Sequence, residues 1–145
     1  MIEPLDCLRV PCAYHINPDE GLITITGSAE VALSEAILLG KSLMADTQFD
    51  PALPQLVDLR GLQVQQFQKD AASFQDFILH TYRKRVQGVI AVVVNDSLDK
   101  YALSALYHLT TRVAKGEIFD NYKLALKWLL RQELTASAYS NSLGK

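Results

Sequence analysis

A chain of 145 residues, 49% hydrophobic and 21% charged, is the size of one globular domain that buries roughly two-thirds of its unfolded surface, so it needs no disulfide or metal to hold a core. Its net charge of −2 argues against nucleic acid as a partner, because phosphate contacts demand a dense Lys/Arg face. Cys7 and Cys12 are too few for a secreted disulfide scaffold and match no common zinc or redox spacing, so they read as reduced thiols in a cytoplasmic protein.

Residues 1–12, which lack the basic and apolar regions of a signal peptide, read as an N-terminal extension to a single domain over 13–134. Tyr14-His15-Ile16-Asn17 and Leu22-Ile23-Thr24-Ile25-Thr26 flank Pro18-Asp19-Glu20-Gly21, which predicts an antiparallel hairpin. Leu33, Ala36, Ile37, Gly40, Leu43 and Met44 repeat at helical spacing, and Asp46, Pro51 and Pro54 close that helix before a strand at Gln55–Leu59. From about Gln68 to Val86 the stripe Ala71, Phe74, Phe77, Ile78 and Tyr82 opposes Lys69, Ser73, Asp76, His80 and Arg83, as in an amphipathic helix.

Val89 to Val94 is the longest apolar run, far below the roughly 20 residues of a membrane span, and its β-branched residues predict a central strand covered on both faces. Asn95-Asp96-Ser97 ends it and starts a third helix with the stripe Leu98, Ala102, Ala105, Leu106, Leu109 and Val113. Glu117-Ile118-Phe119 is a short fifth strand, and Asp120 or Asn121 caps a fourth helix that buries Tyr122, Ala125, Leu126 and Leu129. Residues 135–145 form a polar tail. The order is β-β-α-β-α-β-α-β-α, an α/β domain without internal repeat.

Several short motifs sit at its junctions: the Asn17 to Gly21 turn, Ala45-Asp46-Thr47-Gln48-Phe49, Val57-Asp58-Leu59-Arg60, and Phe119 followed by Ala125-Leu126-Lys127-Trp128-Leu129. Together with the element order they resemble the STAS domain, the fold of sporulation anti-sigma factor antagonists and of sulfate-transporter tails, and most closely its small stand-alone bacterial members. The resemblance covers about residues 13 to 130 and implies a mixed, mostly parallel sheet of four to five strands packed with four helices. It also implies a regulatory, protein-interaction role. Antagonists of the sporulation type carry a phosphorylated serine in the loop after strand three. Here that region, Gly61 to Asp70, holds no Ser or Thr before Ser73, so the family's switch does not carry over.

The junctions also supply the candidate binding residues: Asp58, Arg60, Lys69, Asn95, Asp96 and Ser97. Asp58 and Arg60 lie two apart on a strand and share a face at its end, where they could grip a ligand, although a salt-bridged strand terminus is the simpler reading. Asn95, Asp96 and Ser97 stand at a helix N-terminus, which favours anions but equally serves as an ordinary cap. His80, Arg83, Lys84 and Arg85 read as a solvated helix end. Lys123, Lys127 and Arg131 form a basic stripe beside Trp128, suited to a peripheral membrane or acidic-partner contact, or else to a Trp at the core edge under solvated lysines.

His15, His80 and His108 fall on separate elements with no ligand spacing, so no metal is expected. No nucleophile elbow or phosphate loop is present, and neither catalysis nor a cofactor is expected. Residues 1–60 hold nine acidic and three basic residues and 61–145 seven and eleven, an asymmetry that could orient a partner or a homodimer. Two functions follow. The first is a non-catalytic module that binds a protein partner through the edge near Arg60 and Lys69. The second is a carrier with an apolar pocket between the sheet and helices two and three, drawn from Phe67, Phe74, Phe77, Tyr101 and Tyr107.

Overall fold

The computed structural model describes residues 12–27, 33–61, 71–95, 100–113 and 115–131. Alternation of apolar and polar residues builds a hairpin, in which β1 (Cys12–Asn17) runs antiparallel to β2 (Leu22–Gly27) with Tyr14 opposite Ile25 and Ile16 opposite Ile23. Asn17 closes the turn: its Oδ1 accepts the N–H groups of Asp19 and Glu20, both at 3.1 Å, and Gly21 takes the left-handed φ of 64°.

Helix α1 (Leu33–Ala45) then crosses to β3 (Gln55–Leu59). Asp46 anchors its end, accepting Gln48 N–H at 2.9 Å and the Tyr14 hydroxyl at 2.7 Å, which ties the helix back to β1. The next helix, α2 (71–85), is not uniform. It begins as an α-helix over Ala71–Phe77, widens to a π-helical turn over Ile78–Tyr82, and closes with Arg83–Arg85. The predicted stripe holds nonetheless: Phe77 and Tyr82 are buried, while Ser73, Asp76, His80 and Arg83 are exposed.

β4 (Ile90–Val94) is buried at every residue, as its unbroken β-branched run requires. Between α2 and β4, Gln87 and Gly88 both donate to the Pro51 carbonyl, at 2.8 and 2.9 Å, and a Cβ on Gly88 would stand 2.3 Å from the Leu53 carbonyl oxygen. Helix α3 (Lys100–Val113) buries Leu106 and Thr110, while Ala105, predicted to lie in its apolar stripe, is exposed. Thr110 can take that inward place because its hydroxyl bonds the Leu106 carbonyl at 2.7 Å. After β5 (Gly116–Phe119) comes α4 (122–131), capped by Asn121, whose Oδ1 accepts Leu124 N–H at 3.1 Å.

The sheet has five strands in the order β1-β2-β3-β4-β5, with β1–β2 antiparallel and the rest parallel. Right-handed crossovers that step one strand at a time in one direction carry their helices over the same face. One core accordingly joins Leu43 of α1, Phe77 and Tyr82 of α2 and Leu106 of α3 to Ile23, Ile90, Val92 and Val94. The opposite face holds a smaller core in which Ala125 and Leu129 of α4 pack on Leu22, Leu56, Ala91 and Val93. The expected boundary near residue 13 falls inside β1, and the tail expected from 135 lies outside the described residues.

Candidate functional site

Residues two apart on a strand share a face, so Gln55, Val57 and Leu59 of β3 line up with Ile90 and Val92 of β4 beneath the three helices. They do not meet those helices everywhere. A partly enclosed cavity of about 160 Å³ lies between them, bounded above by Ala36 and Gly40 of α1, Phe74, Phe77, Ile78 and Tyr82 of α2, and Leu109 and Val113 of α3. It follows β3 from Gln55 to Leu59, a span of roughly 13 Å at the rise of a strand. Gly40 sets the closeness of α1 to α2, since a Cβ there would stand 2.8 Å from the Phe77 ring.

Nearly every atom facing this space is carbon, and the polar groups at its wall are mostly spoken for. The Thr110 hydroxyl bonds within its own helix, Thr26 donates to the Ala13 carbonyl at 3.5 Å, and the Cys12 thiol faces the Glu35 carbonyl at 3.8 Å. Burial pushes the Cys12 thiol up, with the Glu35 charge adding to it, so this cysteine stays protonated. Gln55 differs. It is 1% exposed, its Oε1 accepts the Tyr82 hydroxyl at 2.6 Å, and its Nε2 has no partner among the described residues. Burial drives the Tyr82 phenol far above its ordinary pKa, against a smaller opposing effect of the Gln55 bond, so it remains a protonated donor. The π-helical turn ends at Tyr82, with Arg83 N–H reaching back to the Ile78 carbonyl; such widened turns recur at functional sites.

The expected site at the far end of β3 is arranged differently from a ligand grip. Arg60 wraps onto Asp58, with Nε to Oδ1 at 2.9 Å, the second nitrogen to Oδ2 at 2.7 Å, and the backbone N–H to Oδ1 at 3.2 Å. Its guanidinium stacks over Tyr122, 5.1 Å from the ring centroid. Burial raises the Asp58 carboxyl, but the Arg60 hydrogen bonds and charge outweigh it and hold it below the usual range. Asn95 is exposed and donates to the Arg60 carbonyl at 3.4 Å. The structure therefore joins Asp58, Arg60 and Asn95, whereas Lys69, Asp96 and Ser97 lie outside the described residues.

Trp128 packs on Phe119 with centroids 5.7 Å apart, and Lys123, Lys127 and Arg131 on the same helix are exposed. His80 lies 3.6 Å from Asp76 on an exposed helix face, and Arg85 stacks over Phe49. Among the described residues no cluster of His, Cys, Asp or Glu could hold a metal, and no helix is long and apolar enough to cross a membrane. Of the aromatics expected at a pocket, Phe74 and Phe77 line the cavity and Tyr107 is 48% exposed on the outer side of α3. Phe67 and the Tyr101 side chain lie outside the description. Gln55 and Tyr82 were missed as site residues, although a glutamine at an inward strand position shared with Val57 and Leu59 was a readable signal.

What fold and site define together is an α/β protein with an apolar chamber under one helix layer and one buried amide at its end. Compared with known proteins, the chain matches no family model, no curated protein and no solved structure.

Proposed function

We propose that this chain is a non-catalytic binding module whose working part is the chamber between the sheet and α1–α3, taking a small, largely apolar ligand. The cavity is the observation that carries this reading. Protein interiors pack as densely as organic crystals. A partly enclosed, almost wholly apolar space of about 160 Å³ forgoes the contacts that close packing would give its lining. Small-molecule sites usually measure roughly 300–1,000 Å³, so the occupant is about the size of one ring, comparable to the benzene held by a cavity of about 150 Å³.

A STAS-like, regulatory, cytoplasmic module belongs to the same proposal, supported by the element order and the junction motifs. A protein partner gripped through Asp58 and Arg60 gains little, since those two groups already satisfy each other. Benzene or xenon titrated into the protein should shift the amide resonances of Val57 and Val92 selectively. Saturable shifts that vanish in Ala36→Met, a flexible side chain suited to an irregular gap, are expected. Shifts confined to surface residues, or none, would overturn the reading.

A further inference from the structure

We propose that the chamber selects a neutral molecule bearing a hydrogen-bond acceptor, such as a small cyclic or aromatic ketone, aldehyde or ester, and that Gln55 Nε2 is the group that recognises it. The inference rests on the chamber being a ligand site and adds the chemistry of what enters.

A buried amide ordinarily meets its hydrogen-bonding capacity within the protein. Gln55 does so on one side only, its oxygen taken by Tyr82 at 2.6 Å while Nε2 has no partner among the described residues. Gln55 and Tyr82 both line the cavity. In the structure the Tyr82 hydroxyl donates to Gln55 Oε1, which leaves Nε2 as the unsatisfied end of the amide among the described residues. The group left unsatisfied is a donor, and its complement is an acceptor. Charge narrows the class further. No Lys, Arg or His lines the cavity among the described residues, so a carboxylate or phosphate would enter uncompensated, which is costly in an apolar space. A neutral carbonyl meets Nε2 without that penalty, and its hydrocarbon body meets Val57, Val92 and the Phe77 ring.

Cyclohexanone and methylenecyclohexane have nearly the same shape and differ in the acceptor oxygen. Their affinities for wild type and for Gln55→Met are to be measured by amide-shift titration, with cyclohexanecarboxylate at neutral pH as the charged control. The ratio of ketone to hydrocarbon affinity should fall about fivefold in Gln55→Met, the worth of one net hydrogen bond. Comparing ratios cancels the different transfer of the two probes from water. Retained methylenecyclohexane binding shows that the variant is folded with its cavity intact, and cyclohexanecarboxylate should not bind. An unchanged ratio with both probes bound overturns acceptor recognition but leaves the cavity reading standing. Should wild type bind neither probe, the ligand site itself is refuted, and tight carboxylate binding would refute the neutral class.

Discussion

Tyr82 and Gln55 are worth more as a pair than either is alone. Tyr82→Phe removes the donor and strands both ends of a buried amide, which should destabilise the protein by about 1–3 kcal/mol. Adding Gln55→Met removes the orphan as well, so the double variant should recover most of that loss, read from urea midpoints in a double-mutant cycle. Additive losses would mean that the two side chains do not depend on each other. A second prediction concerns acid. Arg60 holds the Asp58 carboxyl below its ordinary range against the opposing effect of burial, and Gln48 N–H with the Tyr14 hydroxyl hold that of Asp46 below it too. A depressed carboxylate contributes stability that is full above the unfolded pKa near about 4 and disappears as pH falls through the lower folded value. Asp58→Asn should therefore be less stable than wild type at neutral pH, and the two stability curves should converge in acid. The Asp58–Arg60 pairing was legible from a spacing of two on a strand. Tyr82 and Gln55 lie 27 residues apart in the chain, and no local pattern links a stripe aromatic to a strand glutamine.

At the scale of elements, period and composition carried most of the reading. β3 spans Gln55–Leu59 as expected, and β4 is buried throughout because valine and isoleucine point to both faces. Helix α2 departs from its expected form, since a π turn inserts extra chain between Phe77 and Arg83 without changing which residues are apolar. Hydrophobic periodicity sees the stripe, not the hydrogen-bond ladder beneath it. Ala105 and Thr110 of α3 show the same limit, because a small apolar residue can sit outside and a threonine inside when its hydroxyl is satisfied by the helix itself. The link between α2 and β4 gives the clearest element-scale prediction. Gly88→Ala drives a Cβ into the Leu53 carbonyl, against backbone held by two bonds to Pro51. It should cost about 1–3 kcal/mol or more, measured as a lowered thermal midpoint.

For the whole molecule, strand order decides where a ligand can go. Open α/β sheets bind ligands where the strand order reverses and successive helices part to opposite faces. Here the order runs β1-β2-β3-β4-β5 without reversal, and α1, α2 and α3 share one face. The Asp58-Leu59-Arg60 step at the end of β3 is therefore not at a reversal of strand order, and the apolar chamber lies under the helix layer. Filling that space tests the molecule as a unit. Ala36→Met should raise the thermal midpoint by a few degrees while abolishing benzene and xenon shifts, because it replaces a void with carbon contacts. A lowered midpoint would mean that the space is already filled.

Alternation, helical periodicity and turn chemistry are local, and they settle the nine elements, the antiparallel hairpin and the burial of β4 on both faces, whereas the middle of the sheet, expected at β4, is held by β3 because each crossover steps one strand onward. The volume left between sheet and helices is different in kind, for it is the small difference between two large packed surfaces. It depends on how closely Gly40 lets α1 approach Phe77, on where a π turn sets Tyr82, and on which strand each crossover reaches. Those quantities exist only once the chain is folded, which is why the elements could be read from the residues and the cavity could not.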